Sequence, residues 1–181
     1  MSSFLESLAQ LLSVPLLTGA EIGERYLHDW SSEDYGMPLA VVRPGSTEEV
    51  SAILKLCHAH GQPVVVQGGL SGLCGGGNPQ TGELVLSLER LKGVEEIDTQ
   101  SMTMAVKAGT PLQSVQEAAL GAGFLFPLDL GARGTCNIGG NIATNAGGNQ
   151  VLRFGMARSL VLGLEAVLAD GTVISSMNKM L

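Results

Sequence analysis

The chain has 181 residues, 45 % of them hydrophobic and 15 % charged, with 25 glycines and a net charge of −7 from 17 acidic and 10 basic side chains. That composition excludes a disordered chain, and the lack of any basic run argues against nucleic acid, because phosphate neutralisation needs clustered Lys and Arg. Cys57, Cys74 and Cys136 stand apart without zinc or disulfide spacing, no apolar run is of membrane-spanning length, and Met1 to Leu12 lacks the basic start of a secretory signal, so the expectation is a reducing, cytoplasmic setting with no metal ligand and no transmembrane segment.

The predicted elements run as follows. Ser2 to Val14 reads as an amphipathic helix with Phe4, Leu5, Leu8, Leu11 and Leu12 on one side. A loop-rich lead-in continues to Met37, which divides the chain into residues 1–37 and a domain over 38–181. Pro38 to Val42 is a strand stopped by Pro44-Gly45. Ser46 is an N-cap with Glu49 placed for a capping box, Val50, Ile53, Leu54 and Cys57 form the buried face of the helix that follows, and Gly61 stops it. Pro63 to Gln67 is a strand that runs into Gly68-Gly69-Leu70-Ser71-Gly72-Leu73-Cys74-Gly75-Gly76-Gly77. Strands follow at Leu84–Leu88, Val94–Ile97 and Met102–Val106. A second helix has Thr110 as N-cap, Pro111 at its first position, and Gly121 and Gly123 at its end. A second glycine-rich region spans Gly131 to Gly148, and Val161–Ala169 with Thr172–Ser175 is a hairpin around a two-residue turn, Asp170-Gly171. The order is α+β with much antiparallel sheet, without the strict alternation of a doubly wound fold. The stop at Lys179-Met180-Leu181 without a closing element reads as a fragment, truncated before completion.

The chemistry is in the two glycine clusters. Without Cβ atoms the first can curl so that successive N–H groups point into one concavity and hold the oxygens of a diphosphate, with Ser71 adding a hydroxyl. It ends in Gly76-Gly77-Asn78, not Gly-Lys-Ser/Thr, so it is no Walker loop. Its Gly69-x-x-Gly72-x-x-Gly75 spacing is followed by Asn78-Pro79, not by a helix, so it is no Rossmann fingerprint. The second, Thr135 to Gly148, is almost all small residues, which let a flat ligand lie against backbone while Asn141, Thr144 and Asn145 supply neutral donors and acceptors. The two together read as surfaces for one extended nucleotide.

The runs Pro63-Val-Val-Val-Gln-Gly-Gly-Leu-Ser-Gly and Pro127-Leu-Asp-Leu-Gly-Ala-Arg-Gly-Thr-Cys-Asn-Ile-Gly-Gly-Asn-Ile-Ala-Thr-Asn-Ala-Gly-Gly, extended by Arg153-Phe-Gly and Val161 to Gly171, resemble the FAD-linked oxidases of the vanillyl-alcohol oxidase and p-cresol methylhydroxylase type. Within that group the likeness is greatest to the D-2-hydroxyglutarate and D-lactate dehydrogenases, over about residues 38 to 175. The resemblance implies a fold of two α/β subdomains and non-covalent FAD, since no histidine stands in the first loop. It implies that Gln67, Gly68, Gly69, Leu70, Ser71, Gly72 and Leu73 form the pyrophosphate loop and that Pro127 and Leu128 lie beside the flavin. Thr135, Ile138, Gly139 and Gly140 would contact phosphate and ribitol, Ala143, Thr144, Asn145 and Gly148 would border the isoalloxazine, and Leu162 and Gly163 would lie near the adenosine. Leu70-Ser71 stands where many such proteins have Asn-Thr. The resembling proteins also carry a substrate domain with metal-binding histidines and carboxylate-binding arginines; this chain carries none of it, so no catalytic residue and no metal ligand is assigned. The expected partner of the longer enzyme is a small 2-hydroxy acid, in a possible homodimer. His58 and His60 read as helix-end residues, Cys136 as a small packing residue, and Asp129 and Arg133 as groups that orient the second motif. Two other readings stay open: a related flavin fold with a different reaction, such as enolpyruvyl-sugar reduction or aldehyde oxidation, and a binding module without redox chemistry.

Overall fold

A computed structural model describes residues 2–31 and 33–177; the end at Lys179-Met180-Leu181 lies outside them. In chain order the helices and strands are α1 (Ser2–Gln10), β1 (Ala40–Val42), α2 (Thr47–His60), β2 (Val64–Gln67), β3 (Leu84–Ser87), β4 (Val94–Asp98), β5 (Thr103–Val106), α3 (Leu112–Gly121), α4 (Ile138–Ala143), α5 (Val151–Phe154), β6 (Glu165–Val167) and β7 (Val173–Ser175). They form two compact units, Met1–Arg90 with Gly163–Leu181, and Leu91–Leu162.

In the first unit β1, β3 and β2 make a parallel sheet in that order, with Ala40 and Val64 both paired to Leu84. The antiparallel sheet expected is found in the pairs β4–β5 and β6–β7, whereas this sheet is parallel. The unbroken apolar runs Ala40-Val41-Val42 and Leu84-Val85-Leu86 are those of strands buried on both faces, as parallel strands are. Alternate residues serve opposite faces. Ala40, Val42, Leu84 and Leu86 meet Phe4 and Leu8 of α1 and Val50, Ile53 and Cys57 of α2, while Val41 and Val85 meet Ile22 and Tyr26. The lead-in is thus part of this core, and Leu17 bridges Val41.

Helix α1 ends at Gln10, short of the expected Val14. Pro15 disfavours helical backbone at Val14, and Ser13 N–H donates to Glu49 Oε1 instead of to α1. That same carboxylate explains why the capping box at α2 is half made. Ser46 Oγ accepts from Glu49 N–H at 3.2 Å, but Glu49 Oε2 takes Gly45 N–H at 2.7 Å and not that of Ser46. Gly61 closes α2 in left-handed conformation, φ 61°. His60 stacks against Phe4, its ring centroid 5.2 Å away. The hairpin β6–β7 turns through Ala169-Asp170-Gly171, one residue longer than expected. Leu168 N–H donates to Thr172 O and Gly171 N–H to Leu168 O, the turn-plus-bulge arrangement in which Gly171 takes φ +85°.

The second unit packs α3 against the antiparallel pair β4–β5 and the glycine-rich region, around Leu112, Val115, Leu128, Cys136, Ile138 and Ala157. Thr110 does not cap α3. Its hydroxyl donates to Lys107 O at 2.6 Å and accepts from Gly93 N–H at 2.9 Å, which ties the end of β5 to the start of β4. The free N–H groups at the start of α3 go instead to the second cluster, Leu112 to Cys136 O and Gln113 to Arg133 O. Residues 138–143 form α4 despite Gly139-Gly140, a pair of low helix propensity that hid it from the sequence. Tertiary contacts supply what propensity lacks: Ile138 is buried, and the N–H groups of Ile138 and Gly139 donate to Thr110 O and Ala108 O.

Candidate functional site

The first cluster leaves the C-terminal end of β2 as an open loop. From Gly68 to Cys74 no backbone N–H has a hydrogen-bond partner among the described residues. Such a row of free donors at the carboxyl end of a parallel strand is an anion site, because unpaired N–H groups need an acceptor. Leu70 sits at φ 51° and Gly75 at φ 68°, so the chain curls here. A Cβ at Gly77 would come 2.6 Å from Leu70 Cδ2, so the loop's two limbs touch where Gly77 has no side chain. Ser71 is half-buried, Gly72 exposed, and Leu73 is 73 % exposed.

Gln67 has another place than the loop residues. It is 1 % exposed, and its Nε2 donates to Tyr26 O and Gly77 O, both at 2.8 Å. Its Oε1 is buried with no partner among the described residues. Sequence reasoning missed Asn78, Asp29 and the rest of the lead-in that joins the loop. Asn78 is buried, accepts from Asp29 N–H at 2.7 Å and donates to Glu33 O at 3.1 Å. The available signal was an amide side chain closing each end of a glycine run.

In the second cluster many N–H groups are paired. Thr135 and Cys136 donate to Ala132 O, Asn141 to Asn137 O, and Ala146 to Asn141 O. Asp129 and Arg133 pair at 3.3 Å, and Asn149 Nδ2 donates to the same carboxylate. Two of the glycines are required by close approach: a Cβ at Gly139 would lie 2.8 Å from Ala108 Cβ, and one at Gly148, φ +135°, would overlap Asp129 O. Gly140 differs, being exposed with nothing within 4 Å of its Cβ position. Leu128 and Ile138 spend their side chains in the core, and Pro127 is half-buried. Thr135, Ala143 and Thr144 are exposed; Thr144 Oγ1 donates to Gly140 O. Asn145, φ 52°, accepts Arg158 N–H on Oδ1, so its amide already serves the loop after α5. Burial pushes the Cys136 thiol up, which leaves it a packing residue. Leu162 is exposed, and Gly163 has Ser176 O 2.7 Å from its Cβ position.

Among the described residues no group of three or more His, Cys, Asp or Glu is placed to hold a metal ion. Nor, among the described residues, is any helix long and apolar enough to cross a membrane. What the residues offer is an anion loop in the first unit and, in the second, a surface of small residues with Gly140 open. Both suit a nucleotide, and the unpaired N–H row needs acceptors such as phosphate oxygens.

A parallel strand ending in such a loop defines a nucleotide-binding α/β unit, and comparison with known proteins narrows the class. The family model described as an FAD binding domain matches residues 38–176, and the chain belongs to that family. A D-2-hydroxyglutarate dehydrogenase of Xanthomonas citri pv. viticola is 45 % identical over 86 % of this chain and 33 % of its own length. The mitochondrial D-2-hydroxyglutarate dehydrogenase of Bos taurus is 43 % identical over 84 % of this chain and 28 % of its own. A putative mitochondrial D-lactate dehydrogenase of Schizosaccharomyces pombe is 39 % identical over 82 % and 28 %. The chain thus spans about a third or less of the length of the curated relatives it matches. Among solved structures, 4-ethylphenol oxidase from Gulosibacter chungangensis superposes with a TM-score of 0.80 at 25 % identity, covering 96 % of this chain and 34 % of that one. p-Cresol methylhydroxylase does so with 0.79 at 18 % over 96 % and 37 %, a likeness of fold alone. The expected fold, that of the p-cresol methylhydroxylase type, is the one observed.

Proposed function

We propose that this chain is the FAD-binding portion of a flavin-dependent D-2-hydroxy-acid dehydrogenase. The observation that carries the reading is the row of unpartnered N–H groups from Gly68 to Cys74 at the end of β2. The names of the sequence relatives support the reaction. Gly68 to Leu73 hold the pyrophosphate by backbone donors, which suits a chain with few basic side chains. Thr135, Gly139 and Gly140 face phosphate and ribitol, Ile138 contributing backbone alone. Ala143, Thr144, Asn145 and Gly148 border the ring with Pro127 and Leu128, and Leu162 and Gly163 serve the adenosine end. Gln67 acts behind the loop. Binding is non-covalent, since residues 68–77 hold no histidine. When bound, FAD supplies hydride acceptance; the chain's own residues bind it, orient it and keep water from its diphosphate. The 2-hydroxy acid and its base belong to parts of the longer enzyme, which we place in the cytoplasm as a homodimer, although several relatives are mitochondrial.

The test is the visible spectrum of the chain after addition of FAD and removal of the excess. Retained, structured flavin absorption is expected. A chain that retains none, beside a full-length enzyme that also retains none, overturns the reading.

A further inference from the structure

Ahead of the family match lies a strap of residues Tyr26–Ser31 and Glu33–Gly36, and it is bound to the glycine loop along its length. Gln67 Nε2 joins Tyr26 O to Gly77 O. Trp30 N–H donates to Gly72 O at 3.0 Å and Gly36 N–H to Pro79 O at 2.6 Å. Asn78 accepts from Asp29 N–H and donates to Glu33 O. The Cβ position of Gly72 is 3.2 Å from Asp29 Oδ2, and that of Gly75 is 2.8 Å from Glu33 Cβ, so the strap lies directly on the loop's glycines.

The pattern of these bonds is selective. Where the strap's own N–H groups meet the loop they take carbonyls, those of Gly72 and Pro79, while Gln67 Nε2 takes that of Gly77. In a trans peptide the C=O and the next N–H point opposite ways, so a carbonyl held on the strap side turns its N–H to the other side. Fixing Gly72 O therefore directs the N–H of Leu73 away from the strap. An anion that accepts from this N–H comes from the side away from the strap. Gln67 is the centre of the arrangement: 1 % exposed, both Nε2 bonds spent on strap and loop, and Oε1 without a partner among the described residues.

We propose that this strap is the template of the diphosphate loop, and that Gln67 and Asn78 are the positioning residues through which it acts. The proposal rests on the FAD reading above. It predicts that cutting the strap loose weakens diphosphate binding itself, because the loop is no longer held in place before the ligand arrives.

The experiment uses the whole chain and two probes, FAD and ADP, which share the diphosphate but not the flavin. Affinities are measured by calorimetry for the natural chain, for Gln67→Met (similar in size, without the amide) and for Asn78→Ala, at a temperature where circular dichroism shows each variant folded. At least about tenfold weaker binding of both probes by a common factor is expected. A purely structural role lowers the unfolding temperature of the ligand-free variants and leaves the affinities unchanged; that result overturns the proposal. Should Gln67→Met not fold, Asn78→Ala alone decides by the same criterion. Failure of the natural chain to bind either probe sinks the FAD reading and the proposal with it, an outcome distinct from normal binding by the variants.

Discussion

The two glycine-rich regions look alike in the sequence and use their glycines for opposite ends. Between Gly68 and Gly77 the chain stays open: its N–H groups have no partner among the described residues, and the side-chain amides of Gln67 and Asn78 hold its ends. Between Gly131 and Gly148 the chain is folded on itself, many of its N–H groups are paired, and glycine marks places where two backbones touch, at Ala108 and at Asp129. The lesson is that a glycine can leave room for a ligand or for the protein's own backbone, and composition does not separate the two. What separates them is where the neighbouring carbonyls and N–H groups go.

The hardest test of the contrast is Gly148→Ala. A methyl group there must overlap Asp129 O on backbone at φ +135°, so the second unit should lose about 3 kcal/mol or more, read as a lowered midpoint in chemical denaturation. An unchanged midpoint would mean that the second cluster is as open as the first. Gly140→Ala inverts the expectation. This residue lies in α4 with open space at its Cβ, so the substitution should stabilise the free chain by about 0.5–1 kcal/mol, the ordinary helix gain, while flavin retention drops because the methyl group occupies the exposed face. Gain without any loss of flavin would remove Gly140 from the site.

How much of this could be read in advance differs between the two regions. The first unit was legible because its signals are local. Ser46 and Gly61 cap α2 where expected, and β2 runs into the loop at Gln67. Its parallel pairing was missed although the unbroken valines and leucines announce buried strands. The strap was missed because its bonds join residues separated by some 40 positions, Tyr26 with Gln67 and Asp29 with Asn78. In the second unit α4 was invisible, since glycine opposes helix locally and only the carbonyls of Thr110 and Ala108 make it form. Thr110 looked like a cap by residue type, yet its hydroxyl had nearer partners in Lys107 and Gly93. The candidate site was read by resemblance as one set of contacts; the structure divides that set into residues that face solvent, such as Gly72 and Gly140, and residues committed to the core, such as Leu128 and Ile138.

The smallest effect, with no cost in stability, comes from the cysteines. Each cluster carries one: Cys74 in the first is exposed, and Cys136 in the second is 4 % exposed with its thiol pushed up by burial. Alkylation needs both access and thiolate, so an open loop and a closed one should differ in rate by about 100-fold or more, the closed one waiting on local opening. Mass spectrometry after brief iodoacetamide treatment should find Cys74 modified and Cys136 intact. Cys57, on the buried face of α2 and pushed up to about 11 by burial, should stay intact as well. Its thiol is favoured in the folded chain, so the stability it contributes is whole below pH 9 and declines between pH 9 and about 11. Added FAD should slow Cys74 alone, since of the three cysteines it alone sits on the loop proposed to hold the diphosphate; equal slowing at Cys136 would show that ligand binding tightens the second cluster too, and the two regions would then differ in geometry but not in response.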